Sequence, residues 1–378
     1  MKITKIKPSN YLYKNNNFNG GYCNLCLSRD IYNGYCVSCG NKDITLYYTE
    51  RIINIHKHTL NMDFSLSKDQ QNASNFFLEH LKIKRNAFLN AVCGSGKTEI
   101  MYESILHALN EGMKVIITIP RKEIVRELSL RLKKVFKDTT IHYLDQDNHN
   151  DKADLLISTV NQLINYEKEF DLIIMDEVDA YPFSDNDFLH RLVEKSLKDD
   201  GVIFYMSATR KEKLNYDTYT LKRRYHNENL SMPIFIKEND KYVLKNPTFM
   251  KVLNNKDRKH IIFVPSIKIG ESLEETLGIK FVSSQTKNLN KIIDDFKNDK
   301  YNNLISTTIL ERGITIPYTD VIILYASNEV FDQNTIIQIC GRVGRKSYDP
   351  HGSIYIFYEN NSLKFLSVKK YIKRMNKR

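Results

Sequence analysis

Long apolar runs are what this 378-residue sequence most clearly lacks. The opening stretch MKITKIKPSNYLYKNNNFNG has no continuous apolar segment that could form a signal-peptide core. Runs such as 171–175 and 321–325 are far too short to cross a bilayer. No transmembrane segment is therefore expected, and an intracellular, cytoplasmic protein is. That in turn makes disulfides unexpected and leaves the six cysteines for metal or packing. No internal repeat of 20–50 residues exists, and tryptophan is absent, which excludes nothing by itself.

Acidic residues are in deficit, 45 against 56 basic ones, for a net charge of +11. That balance invites a polyanionic partner. The excess is localised. Residues 1–60 carry eight Lys/Arg and three Asp/Glu, and residues 361–378 carry seven Lys/Arg and no acid. The 300 residues between them are nearly neutral.

From about residue 86 the chain alternates short β-branched runs with amphipathic stretches. The runs at 87–92, 115–119, 154–158, 172–175 and 202–206 do not alternate in polarity, so they predict strands buried on both faces of a parallel sheet. Helical stretches are expected at 98–111, 123–136 and 188–197. A second series follows at 261–264, 304–307, 321–325 and 353–358. The fold expected is α/β, with two tandem doubly wound parallel-sheet lobes and a small N-terminal cysteine-containing module. The boundaries expected are 1–60 for a four-cysteine module, 61–215 for a first lobe, 216–249 for a linker without clear period, and 250–378 for a second lobe with a basic tail.

Residues 91–98, Ala-Val-Cys-Gly-Ser-Gly-Lys-Thr, lie between a predicted strand and a predicted helix. They fit the phosphate-loop pattern, with Ala91 in place of its first glycine. Gly94, Ser95 and Gly96 let backbone N–H groups approach phosphates, Lys97 would reach the β/γ-phosphates of ATP, and Thr98 would bind Mg²⁺. The apolar run at 172–175 ends in Asp176-Glu177-Val178-Asp179. Carboxylates at a parallel strand's end open onto a ligand crevice, where Asp176 would hold the Mg²⁺ shell and Glu177 would activate the attacking water. In the second series, Arg342 and Arg345 stand three residues apart, on one face if the stretch is helical. They could stabilise charge on the γ-phosphoryl oxygens.

This set, together with Ser207-Ala208-Thr209 and the stretch 338–345, resembles superfamily 2 helicases and translocases. The resemblance implies that Ser207, Thr209 and Asp179 couple ATP to nucleic acid, and that Gln70 reads adenine. It adds Gly313 and Gln338 to the nucleotide site. Pro120, Arg121, Thr159 and Gln162 would bind a strand on the first lobe, and Ser266, Thr307 and Thr308 on the second. Finer features resemble the ComFA family of bacterial late competence proteins: the run DEVDAYPF at 176–183, Arg224-Tyr225-His226, the stretch 307–315 and four cysteines ahead of the motor. That resemblance implies ATP-driven movement of single-stranded DNA into the cell during natural transformation. It also implies a place at the inner face of the membrane, and partners that include a membrane DNA-uptake channel, a ComFC-like protein and recombination mediators.

Cys23, Cys26, Cys36 and Cys39 form C-x₂-C-x₉-C-x₂-C, two knuckles suited to a tetrahedral Zn²⁺ site. Asn33-Gly34 can turn a hairpin between them, and Gly40 can help the second knuckle close. A module this small would draw its folding energy from the metal. Lys2, Lys5, Lys7 and Lys14, interleaved with Tyr11, Tyr13, Phe18 and Tyr22, could track phosphates and stack bases. Cys93 and Cys340 sit inside motor motifs and read as small packing residues. Two other functions stay open on the residues alone: a superfamily 2 helicase acting in replication restart or on RNA, and a catalytically silent zinc scaffold that binds nucleic acid.

Overall fold

A computed structural model describes residues 2–6, 18–19, 22–23, 26–29, 31–32, 35–40, 46–50, 57–120, 122–144, 153–180, 183, 186–209, 216–311 and 316–377. The chain divides into two compact units. One is Met1–Ala91 with Lys97–Leu221; the other is Val92–Gly96 with Lys222–Arg378. The phosphate-loop backbone, although spliced between elements of the first unit, therefore groups with the second.

The first unit opens with short antiparallel pairs: β1 (Lys2–Ile6) with β6 (Leu46–Glu50), β2 (Phe18–Asn19) with β3 (Tyr22–Cys23), and β4 (Ile31–Tyr32) with β5 (Tyr35–Cys36). Its main body is a seven-stranded, all-parallel sheet. In chain order the strands are β7 (Ala87–Ala91), β8 (Val115–Ile119), β9 (Ile141–Tyr143), β10 (Leu155–Thr159), β11 (Phe170–Met175), β12 (Leu197–Ser207) and β13 (Asp217–Leu221). Their spatial order is β13-β7-β12-β11-β8-β10-β9. Helices α1 (Lys68–Lys82), α2 (Lys97–Ile100), α3 (Tyr102–Asn110), α4 (Lys122–Val135) and α5 (Asp187–Ser196) connect them. Every position of β7 and β8 is buried, which accounts for apolar runs without alternation.

The second unit is a six-stranded parallel sheet. Its strands are β14 (Ile234–Lys237), β15 (Lys259–Phe263), β16 (Phe281–Val282), β17 (Asn303–Ser306), β18 (Thr319–Ile323) and β19 (Ile354–Tyr358), in the order β14-β19-β18-β15-β17-β16. Its helices are α6 (Pro247–Leu253), α7 (Ile267–Leu277), α8 (Leu289–Lys297), α9 (Gln333–Cys340) and α10 (Leu363–Asn376). The basic C-terminal run thus folds as α10, which buries Phe365, Val368, Tyr371, Ile372 and Met375. The Ser362 side chain caps its start by accepting from the Lys364 N–H.

Three local readings are refined. The helix expected at 98–111 is interrupted at Met101 and becomes α2 and α3. The stretch 216–249 is more than a connection, because it supplies an edge strand to each sheet, β13 and β14. The helix carrying the arginine pair stops at Cys340, so Arg342 and Arg345 stand on the turn that follows it, where Gly344 takes φ +67°. A left-handed backbone there breaks the helical repeat.

Candidate nucleotide and metal sites

Parallel pairing brings the predicted residues of the first unit to one edge. Asn90 is level with Ser207, Ile119 with Thr159, and Met175 with Thr118. The phosphate loop, Pro120 and Asp176 thus follow, and Thr159 and Ser207 end, strands that finish at one edge. In the second unit Phe263 is level with Ser306, so Ser266, Thr307 and Thr308 share the corresponding edge there. Arg121 and Gly313 lie outside the described residues, as do Lys7, Tyr11, Tyr13, Lys14, Asn33 and Gly34.

Gly94 and Gly96 hold φ +80° and +78°, the left-handed region that glycine enters without strain. Ser95 is buried, and its N–H donates to the Val92 carbonyl at 3.2 Å. Lys97 and Thr98 start α2, and the Lys97 ammonium donates to the Ala91 carbonyl at 3.5 Å. Burial pushes the Asp176 carboxyl up to about 6, against the pull of the Lys97 ammonium and with the Glu177 and Asp179 carboxylates adding repulsion. A carboxylate so placed is short of positive charge, which suits a divalent cation. Asp176 Oδ1 also accepts from the Glu177 N–H at 2.8 Å, and Glu177 stands at φ +56°. The Ala180 N–H donates to the Glu177 carbonyl at 2.8 Å, which closes the turn.

Asp179 is buried and accepts from Thr209 Oγ1 at 2.8 Å. Ser207 Oγ accepts from the Thr209 N–H at 2.9 Å and donates to the Thr209 carbonyl at 2.7 Å. The Val178 N–H donates to the Met206 carbonyl at 3.2 Å. The acidic segment and the Ser-Ala-Thr segment are therefore joined through both backbone and side chains.

Several predicted residues have local partners of their own. Gln70 completes a capping box on α1: its Oε1 accepts from the Ser67 N–H at 2.9 Å while Ser67 Oγ accepts from the Gln70 N–H. That oxygen is engaged at the helix start. Gln162 Oε1 accepts from Asn165 Nδ2 at 3.3 Å, and Ser266 caps α7 through the Ile269 N–H at 3.3 Å.

In the second unit, Gln338 Oε1 accepts from Cys93 Sγ at 3.0 Å. A Cβ on Gly341 would come within 2.3 Å of the Cys93 Cβ, so only glycine fits there. Burial pushes the Cys340 thiol up, as expected of a packing residue. Arg342 is buried, and its Nε and Nη2 both donate to the Glu311 carbonyl, the former at 2.7 Å. Arg345 Nε donates back to the Gly341 carbonyl at 3.0 Å. The run Arg224-Tyr225-His226 carries no role that its residue types announce. The structure gives it one: Arg224 Nη1 and His226 Nε2 both donate to the Gly344 carbonyl, the latter at 3.1 Å, and Tyr225 Oη accepts from the Ser347 N–H at 3.0 Å.

The four cysteines are buried, form no disulfide, and lie with all sulfurs within 4.8 Å of one another. Cys23–Cys39 and Cys26–Cys36 are each 3.6 Å apart. A tetrahedron with Zn–S of about 2.3 Å has edges of about 3.8 Å, so the set fits zinc. The knuckles repeat one device: Leu27 N–H donates to the Cys23 carbonyl and Gly40 N–H to the Cys36 carbonyl, at 2.8 and 2.9 Å, with φ of +58° and +67°. Beside them Lys195 is buried and held down to about 8, chiefly by that burial, while its ammonium donates to the Ile164 carbonyl at 3.0 Å.

Comparison with known proteins agrees with this layout. Residues 63–212 match the family "Type III restriction enzyme, res subunit", and 244–347 match "Helicase conserved C-terminal domain". The competence protein ComFA of Bacillus subtilis is 32% identical, over 84% of this chain and 73% of its own. That of Streptococcus pneumoniae is 32% identical over 94% and 86%. The chain belongs to the ComFA family. Its fold is that of two tandem RecA-like helicase lobes: Saccharomyces cerevisiae Dbp5 bound to RNA and ADP BeF3 superposes with a TM-score of 0.59 at 19% identity, covering 82% of this chain and 92% of Dbp5. This ComFA-family protein is thus a superfamily 2 helicase-like protein, whose domains imply a nucleic-acid-dependent ATPase using ATP and Mg²⁺. Among the described residues no helix is long and apolar enough to cross a membrane.

Proposed function

We propose that this protein is an ATP-driven motor that pulls single-stranded DNA inward during natural transformation. The observation that carries the reading is the crowded carboxylate Asp176, raised by burial and set in the field of Lys97 at the strand edge from which the phosphate loop leaves. Such a pair fits a nucleotide's phosphates and their cation, and the ComFA relatives supply the setting of competence.

In this reading Lys97, Thr98 and the backbone of Gly94, Ser95 and Gly96 hold the triphosphate. Thr98 and Asp176 would hold Mg²⁺, which when bound would supply positive charge against the phosphates. Glu177 takes the proton of the attacking water, and Arg345 stabilises charge on the γ-phosphoryl group. Arg342 keeps the Glu311 turn in place through its two bonds to that carbonyl. Gln338 and Gly313 border the nucleotide, and Gln70 reads adenine. Pro120, Arg121, Thr159 and Gln162, with Ser266, Thr307 and Thr308, track the DNA backbone, and Ser207, Thr209 and Asp179 link that grip to hydrolysis. Residues 1–60 form the module that holds Zn²⁺ through Cys23, Cys26, Cys36 and Cys39. Residues 61–215 and 250–378 are the motor lobes, joined by 216–249. The protein works from the cytoplasm at the inner face of the membrane, with an uptake channel, a ComFC-like protein and recombination mediators as partners.

The test is ATPase activity measured in parallel with single-stranded DNA, duplex DNA and RNA at one stated salt concentration. Single-stranded DNA should stimulate most. Equal stimulation by RNA would remove the DNA reading.

A further inference from the structure

Arg224 is the largest fully buried side chain among the described residues, with 2% of its surface exposed. Among those residues it forms no ion pair, and only Nη1 has a hydrogen-bond partner, the Gly344 carbonyl; Nε and Nη2 have none. A buried guanidinium is ordinarily matched by a carboxylate, because an unmatched charge in a low-dielectric interior is costly. Here burial, and with it the like charge of Arg345, holds Arg224 down to about 10. The Arg224 guanidinium therefore has two donor groups, Nε and Nη2, that an anion could take up.

The surroundings say which anion. Nε lies against the phosphate loop: a Cβ on Gly94 would meet it at 3.6 Å. The Tyr225 N–H reaches the Gly94 carbonyl at 3.5 Å, so the backbone beside Arg224 follows that loop. At the other end Nη1 is fixed on the Gly344 carbonyl, in the turn that leads into Arg345. The planar fork is thus anchored at one nitrogen; of its two remaining donor groups Nε lies beside a glycine loop of phosphate-binding form, and Nη2 shares its plane.

We propose that Arg224 is a phosphate-binding residue of the nucleotide site, its Nε–H and Nη2–H donating to an oxyanion of the nucleotide's phosphate chain beside Gly94. The proposal rests on the ATP-site reading above and adds a second guanidinium to the one assigned to Arg345. It also explains why His226 shares the Gly344 carbonyl: that second bond holds the anchor of the fork in place. An unmatched buried charge lowers stability in the empty protein, and binding the anion relieves it.

The experiment uses the full chain and compares wild type with R224M and R224K. It measures affinity for a fluorescent ATP analogue and for a single-stranded oligodeoxynucleotide, and thermal unfolding without ligand. The expected result is at least ~10-fold weaker nucleotide binding by R224M, with R224K between the two because Lys keeps the charge but loses the fork. DNA affinity without nucleotide should not change, and the unliganded R224M should unfold at the same or a higher temperature than wild type. Wild-type nucleotide affinity in R224M overturns the proposal. So does a loss confined to DNA binding, which would make the anion a nucleic-acid phosphate. If R224M does not fold, R224Q takes its place, and failure of both to fold assigns Arg224 to structure and likewise overturns the proposal. No nucleotide binding by wild type itself would instead end the ATP-site reading, and this inference with it.

Discussion

Thr209 Oγ1 donates to the buried Asp179 carboxylate at 2.8 Å, fastening the end of β12 to the acidic turn after β11. Replacing Thr209 with Val deletes that donor. The variant should bind ATP normally but lose most of its stimulation by single-stranded DNA, and T209S should retain it. Urea unfolding should show a loss of about 1–3 kcal/mol for T209V, the range for a buried bond to a charged group. Full stimulation in T209V would separate this bond from coupling.

Glu177→Gln should bind ATP and hydrolyse it at least ~100-fold more slowly. Single-turnover measurement with saturating DNA checks this, and near-normal turnover would reassign the base.

Purified protein should carry about one zinc per chain by elemental analysis. Chelation, or replacement of Cys36 by Ser, should remove the metal and lower the unfolding temperature, because thiolates gathered within 4.8 Å repel one another without a cation.

His260 is fully buried, with Nδ1 donating to Asn303 Oδ1 at 2.8 Å, and burial holds its pKa below the ordinary 6.5. The folded chain therefore binds fewer protons here than the unfolded chain. Stability from this site is fully present above the ordinary 6.5 and is lost as pH falls from there toward the lower folded value. Urea midpoints compared at neutral and mildly acidic pH should drop less in H260Q than in wild type; an equal drop would place the pH dependence elsewhere.

The strand edges were legible in the sequence because buried parallel strands leave unbroken apolar runs, and the candidate site segments simply follow those runs. The bond between Asp179 and Thr209 was not legible, because it depends on β11 and β12 being neighbours in the sheet. The same reasoning could not foresee that Gln70 caps its own helix start, although Ser67-x-x-Gln70 carries that signal. Nor could it give Arg342 its partner, because Glu311 is 31 residues away and contributes a main-chain oxygen, which no residue type announces. Arg224 was hidden for the same reason: its anchor is a carbonyl 120 residues downstream. The condition of helical spacing for Arg342 and Arg345 is not met because α9 ends at Cys340, and the left-handed Gly344 then turns the chain between the two arginines.

The left-handed backbone of Glu177 has an outcome for the chemistry. Main-chain partners at the Asp176 carboxylate and the Ala180 amide fix where the residue emerges, so the backbone itself aims the side chain. Swapping the acid for its amide leaves those main-chain bonds in place, so a loss of turnover would report on the side chain and not on a displaced turn.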